Sequence, residues 1–93
     1  MPTDDKISRT MERARRAWEL QDNELLNETF DYLSSAYIAQ WKITRFDDTA
    51  GRDRLWQAVN CIAKVRDHFR IAVEDGKIAK ADLERMHGLN VTN

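Results

Sequence analysis

The chain has 93 residues, of which 42% are hydrophobic and 33% are charged, and its formal net charge is −1. This length and composition are typical of one small folded domain and exclude a disordered tail, so we expect a single domain over residues 1–93. The balanced charge excludes the bulk attraction to nucleic acid or anionic membranes that a strongly basic domain shows. A domain of this size buries little surface, which favours association with copies of itself or with a partner protein.

The segment from Met1 to Lys6 has two aspartates and no apolar run, unlike a signal peptide. No stretch of the sequence approaches the roughly 18 apolar residues of a membrane span. Cys61 is the single cysteine, so an internal disulfide is excluded, and its place within an apolar helix predicts a buried side chain. We expect a cytoplasmic protein that does not contact membranes.

A first helix is predicted over residues 5–20, with Thr3 or Asp4 as its N-cap. Its apolar residues recur at steps of four, three and four. They are Ile7, Met11, Ala14 and Trp18. This spacing places all four on one face, which we expect to pack against another helix.

A basic stripe lies beside that apolar face. It consists of Lys6, Arg9, Arg13 and Arg16, with Arg15 next to it. Arginine binds phosphate with two hydrogen bonds, so Arg9, Arg13 and Arg16 are candidate contacts to nucleic acid or to an acidic protein groove. Residues 1–20 carry a net charge of +1 and residues 21–49 carry −4. Pairing of the stripe with the acidic second helix is therefore the favoured alternative.

A second helix is predicted over residues 23–45, with Asp22 or Asn23 as its cap. It carries two apolar rows. The first row is Leu26, Phe30, Leu33, Tyr37 and Trp41, and the second row is Leu25, Tyr32, Ala36, Ala39 and Ile43. This width predicts a central helix that contacts two neighbours at once.

A third helix is predicted over residues 50–75, after a turn at residues 46–51 that reverses the chain. Its apolar seam is Leu55, Ala58, Ile62, Val65, Phe69 and Ala72. Gly76 is interpreted as the helix end, and a short C-terminal helix is expected over residues 78–86. The sequence thus predicts an all-α fold, a small helical bundle with a long antiparallel helical hairpin formed by the second and third helices.

Chemical motifs are scarce. His68 and His87 lack partners at metal-ligand spacing, and the three glycines form no phosphate-binding loop. Adjacent carboxylates such as Asp47 and Asp48 are interpreted as helix caps. We therefore expect no catalytic residue, no cofactor or metal and no small-molecule substrate.

Tryptophan is the more informative residue type. Because tryptophan is enriched among the residues that anchor protein interfaces, Trp41 and Trp56 are candidate partner contacts. Trp56 is the better candidate, since it lies one step off the seam of the third helix. Together with Arg9, Arg13 and Arg16, these two tryptophans form the predicted partner-binding set.

Three stretches carry a resemblance: Leu25-Leu26-Asn27-Glu28 with the aromatic residues that follow it, Gly51 to Trp56, and Val73 to Lys77. Over residues 17–80 the chain resembles small, mostly uncharacterised helical proteins of tailed phages and prophages, which accompany packaging and head-assembly genes. The resemblance implies a non-enzymatic role in virion assembly or DNA packaging in the host cytoplasm. We expect the chain to act through protein contacts and to self-associate along the long hairpin as a homo-oligomer. The alternatives are a nucleic-acid-binding packaging component such as a small terminase-like subunit, and an inhibitor that binds a host protein.

Overall fold

The computed structural model describes residues 3–91, with side chains described for residues 3–88. Three helices form the regular structure of this part of the chain: α1 (Asp4–Gln21), α2 (Glu24–Ile43) and α3 (Thr49–Val91). No strand occurs within residues 3–91, which confirms the all-α class. The chain divides into two compact units, one formed by α1 with α3 from His68 onward, the other by residues 22–67. A single domain over residues 1–93 stays a prediction.

The predicted N-caps of α1 and α2 are present. The backbone N–H of Lys6 donates to Thr3 Oγ1 at 3.2 Å, which selects Thr3 over Asp4 as the cap of α1. The backbone N–H of Leu26 donates to Asn23 Oδ1 at 2.8 Å, which makes Asn23 the cap of α2. Each bond satisfies a donor that would otherwise lack a partner in the first helical turn, and the helices begin within one residue of the predicted positions.

In the unit of residues 22–67, α2 and the first part of α3 form the predicted antiparallel hairpin. The side chain of Arg52 donates to the carbonyl oxygen of Thr44 at 3.3 Å, at the end of α2. Near the start of α2, Arg66 Nη2 donates to the carbonyl oxygen of Asn27 at 2.9 Å. The early part of α3 therefore faces the end of α2 and the later part faces its beginning, which confirms the antiparallel arrangement.

The predicted division of the third helix at Gly76 is wrong. α3 runs without interruption from Thr49 to Val91, so the separate helix over residues 78–86 belongs to it. Gly76 has no positive φ, as a helix-ending glycine would. A Cβ at this position would overlap Ala14 Cβ and lie 3.7 Å from Ala14 Cα. The missing side chain allows α1 and α3 to approach closely, and that packing keeps the glycine helical.

Complete burial is confined to the α1 unit among the side chains described. Ile7, Ala17 and Ala79 are the buried hydrophobic residues. Ala17 replaces the predicted Trp18 at the end of the apolar face of α1, because Trp18 is 53% exposed. At this end of α1 the packed face therefore runs through Ala17 and not through Trp18.

Residues 22–67 contain no fully buried side chain. The first row of α2 is half-buried from Leu26 to Tyr37, whereas Leu25 and Tyr32 of the second row are each 72% exposed and Ile43 is 84% exposed. At these three residues the second row lacks the cover that the expected second neighbour of α2 would provide. One of its apolar faces is left uncovered.

Candidate protein-contact surface

Trp41 and Trp56, predicted separately as partner contacts, line one groove of the hairpin. The groove has a volume of about 340 Å³. Its lining residues are Ile38 and Trp41 from α2 and Leu55, Trp56 and Val59 from α3. None of the five is ionisable, so the groove is an apolar concavity that a hydrophobic side chain of a partner fits. We call it the tryptophan groove.

The two indoles are accessible to a partner. Trp41 is 39% exposed and Trp56 is 65% exposed. Monomeric proteins expose single large hydrophobic residues routinely, but adjacent ones around a concavity mark an interaction site. Their exposure keeps both residues available as anchors.

Arg52 positions Trp41. Its guanidinium carbon lies 4.0 Å from the centroid of the Trp41 ring, which is cation–π distance. The same side chain donates to the carbonyl oxygen of Thr44, one of the unpaired acceptors at the end of α2. Arg52 therefore connects the end of α2 to the start of α3 and restrains one wall of the tryptophan groove.

The start of α3 is set by Asp48. The backbone N–H of Gly51 donates to Asp48 Oδ1 at 3.0 Å, so this carboxylate is the N-cap of α3. A Cβ at residue 51 would overlap the Asp48 carboxylate, so a larger residue there would displace the capping side chain. The cap fixes where α3 begins, and through it the position of Leu55 and Trp56 along the helix.

Arg66 connects α3 to α2, and the sequence did not predict this contact. Its guanidinium donates to the carbonyl oxygen of Asn27 and lies 2.9 Å from Asp31 Oδ1, and it stands 5.1 Å from the Phe30 ring centroid. Its Nε is buried without a hydrogen-bond partner. The signal was present: an arginine four residues after Ile62 and three before Phe69 lies on the packing face of a helix.

The structure pairs much of the basic stripe within α1 itself. Arg9 lies 3.1 Å from Asp5, and Arg16 Nε lies 3.3 Å from Glu12. Arg15 forms ion pairs with Glu12 and Glu19. Each pair spans three or four residues of one helix, the spacing that brings side chains together on a helix surface. The favoured pairing with the second helix is therefore wrong for these three arginines, whose carboxylate partners come from α1.

Glu12 is the centre of this ion-pair cluster. Its hydrogen bond from Arg15 lowers the pKa of the carboxyl from the ordinary 4.5 to about 2, with a further contribution from Arg16. The same hydrogen bond raises the pKa of Arg15 further above its ordinary value. The cluster is exposed to solvent, so it contributes little to the stability of the fold.

Arg13 differs from its neighbours in the stripe. It lines a cavity of about 260 Å³ in the α1 unit, together with Thr10, His68 and Asp75. Among residues 3–88 no ion pair forms on Arg13. The predicted contacts Arg9, Arg13 and Arg16 thus share one face of α1, but two of the three have partners already.

The side chains that could bind a metal ion do not cluster within the described residues. No cluster of three or more histidine, cysteine, aspartate or glutamate side chains with metal-binding geometry is found among them. His68 and His87 are exposed. Cys61 is also exposed, so its predicted burial is wrong. The reason is that it lies beside the packing face of α3, next to the half-buried Ile62.

Within the described part of the chain, none of the helices combines the length and apolar character required to cross a bilayer. Comparison with protein-family models, curated proteins and solved structures gave no match.

Proposed function

We propose that this chain is a non-enzymatic assembly protein of phage type, which acts through protein contacts in virion assembly or DNA packaging. The tryptophan groove is the observation that carries the proposal. It brings Trp41 and Trp56 together around one apolar concavity on a hairpin that Arg52 and Arg66 hold in place. The phage setting rests on the resemblance of residues 17–80.

The chemistry of the groove defines its partner. Its walls are aromatic and aliphatic, with the Arg52 guanidinium against the Trp41 ring. Such a site takes an apolar anchor side chain, and it favours a carboxylate near that anchor because of the nearby positive charge. We propose a helix or peptide of a virion protein with one buried hydrophobic residue and an acidic neighbour.

Nucleic-acid binding is the second candidate, since Arg13 has no ion-pair partner among the described side chains and faces a cavity. Phosphate contacts would make binding fall steeply with salt. Replacement of Arg9, Arg13 and Arg16 by glutamate should then remove DNA retention, while Trp56→Ala should leave it unchanged. DNA retention that is absent, or insensitive to these changes, rejects the nucleic-acid function.

The protein-contact proposal is tested by affinity capture from cells in which virions are assembling. The wild-type chain is compared with Trp56→Ala and with Trp18→Ala, an equally drastic change at an exposed tryptophan outside the groove. We expect virion structural or packaging proteins to be captured by the wild-type and Trp18→Ala chains and to be lost at least tenfold with Trp56→Ala.

Two results would contradict the proposal. Capture of one host enzyme, with loss of its activity, would identify the chain as a host inhibitor. Equal capture by all three chains would show that the tryptophan groove is not the binding site.

A further inference from the structure

We propose that the uncovered second row of α2 binds the same row of a second copy of this chain, with the two α2 helices antiparallel. This inference deepens the proposed function, because it names the surface and the orientation of self-association. It rests on three observations: the exposure of the row, its spacing and the distribution of charge along α2.

Four of the five residues of the second row are exposed in the described chain, and Ala36 is half-buried. Leu25, Tyr32 and Ile43 expose 72%, 72% and 84% of their surface, and Ala39 is also exposed. The row extends over most of the 20 residues of α2. Exposed apolar surface of this extent costs free energy in water, and burial against another apolar surface recovers it.

The spacing of the row is that of a helix–helix interface. With Thr29 included, the positions 25, 29, 32, 36, 39 and 43 alternate in steps of four and three. The Thr29 hydroxyl donates to the carbonyl oxygen of Leu25 at 2.8 Å, so its polar group is satisfied within the helix and its methyl group can pack. Steps of four and three, sustained over several turns, are the pattern with which two helices pack side by side.

The sizes of the side chains match when the row is inverted. In an antiparallel pair with Leu25 of one copy opposite Ile43 of the other, Tyr32 meets Ala36 and Thr29 meets Ala39. The bulkiest side chain of the row, Tyr32, then lies opposite the smallest kind, Ala36, which fills space without overlap. In a parallel pair Tyr32 would meet Tyr32, and Ala36 would meet Ala36.

Charge distinguishes the two orientations. Glu24 and Glu28 lie in the first turns of α2 and Lys42 lies in its last turn. Glu28 and Lys42 each follow a row residue by three positions, so they flank the row on the same side. Antiparallel pairing brings the acidic end of this flank in one copy to its basic end in the other, whereas parallel pairing puts this flank of the two copies on opposite sides of the interface and forms no such pair. Antiparallel helix dipoles add to the same preference.

The first test is the mass of the chain in solution. We expect a dimer whose dissociation constant rises roughly tenfold or more with Tyr32→Glu, since the change places a charge at the centre of the row. Trp56→Glu, in the tryptophan groove, is the matched control and should leave the dimer intact. Circular dichroism checks that both variants keep their helices.

The second test fixes orientation by cross-linking in a Cys61→Ser background, which removes the exposed native thiol. Leu25→Cys and Ile43→Cys chains are oxidised separately and as a mixture. In the antiparallel dimer, identical positions lie about 27 Å apart, so the mixture should cross-link at least tenfold more than either variant alone.

The outcomes separate this inference from the proposed function. A monomeric wild-type chain, or a dimer insensitive to Tyr32→Glu, overturns the inference while leaving partner capture through Trp56 intact. Strong cross-linking of Leu25→Cys with itself overturns the antiparallel orientation. Equal partner capture by the wild-type and Trp56→Ala chains, together with a dimer that Tyr32→Glu weakens, contradicts the tryptophan groove and supports this inference.

Discussion

Gly76 of α3 lies directly against Ala14 of α1, and a Cβ on the glycine would overlap Ala14 Cβ. The carbonyl oxygen of Thr10 would lie 3.9 Å from that Cβ of residue 76. The contact explains how a glycine persists in the interior of a 43-residue helix, where it lowers helix stability by about 1 kcal/mol relative to alanine. This residue allows the two helices to approach closely. It does not change the direction of α3.

Replacement of Gly76 by alanine should therefore destabilise the chain. Overpacking at a tight contact typically costs about 1–3 kcal/mol, and the gain in helix propensity offsets about 1 kcal/mol of it. Gly88→Ala is the matched control, since no atom lies within 4 Å of a Cβ there. Urea denaturation should show a lower midpoint for Gly76→Ala and an equal or higher one for Gly88→Ala. A more stable Gly76→Ala chain would show that α1 does not pack as described.

Arg66 should contribute more to stability than any exposed arginine of α1. Arg66→Ala removes the hydrogen bond to the Asn27 carbonyl oxygen and the ion pair with Asp31, at a cost of about 1–3 kcal/mol in the free energy of unfolding. Arg66→Lys should restore part of it, because a single nitrogen, Nη2, makes both contacts and an ammonium nitrogen also carries several donors. The control is Arg9→Ala, whose ion pair is largely exposed and should matter by less than about 0.5 kcal/mol. Equal effects of Arg66→Ala and Arg9→Ala in thermal or urea unfolding would contradict this assignment.

The two adjacent aspartates before α3 should behave differently. Asp48→Ala removes the N-cap bond to the Gly51 N–H and should cost about 1 kcal/mol. Asp47→Ala removes only an exposed ion pair with Arg45, so its effect on unfolding should be within about 0.5 kcal/mol of zero. Both are measured by chemical denaturation. If Asp47 proved the more important residue, α3 would begin at a different position.

Glu12 should titrate far below an ordinary glutamate. Its pKa of about 2 lies under the ordinary 4.5, so the folded state binds this proton less readily than the unfolded state. The resulting stabilisation is present above about pH 4.5 and is lost as the pH falls through about 2. Carbon-detected NMR titration of the Glu12 carboxyl measures the pKa directly. Arg15→Gln should raise it towards 4.5 more than Arg16→Gln does, because the hydrogen bond from Arg15 is the largest cause. A Glu12 that titrates near 4.5 in the wild-type chain would contradict the ion-pair cluster.

Local features were the ones that the sequence predicted well. The starts of α1 and α2 follow from Thr3 and Asn23, since a cap acts on backbone groups only three residues away. Helical periodicity defined the all-α class, and the turn before Gly51 predicted the hairpin. Trp41 and Trp56 were identified by residue type alone, without information on their proximity.

Only the tertiary structure decided what depends on contacts between distant residues. The same glycine chemistry that ends helices also permits close helix packing, and the position of Ala14 distinguishes the two at Gly76. Arg66 finds its partners on α2, 35 to 39 residues earlier in the chain, and the exposure of the second row depends on which face of α2 meets α3. Periodicity fixes which side chains share a face, because the helix repeat is local, but the free energy of packing selects the face that another helix covers.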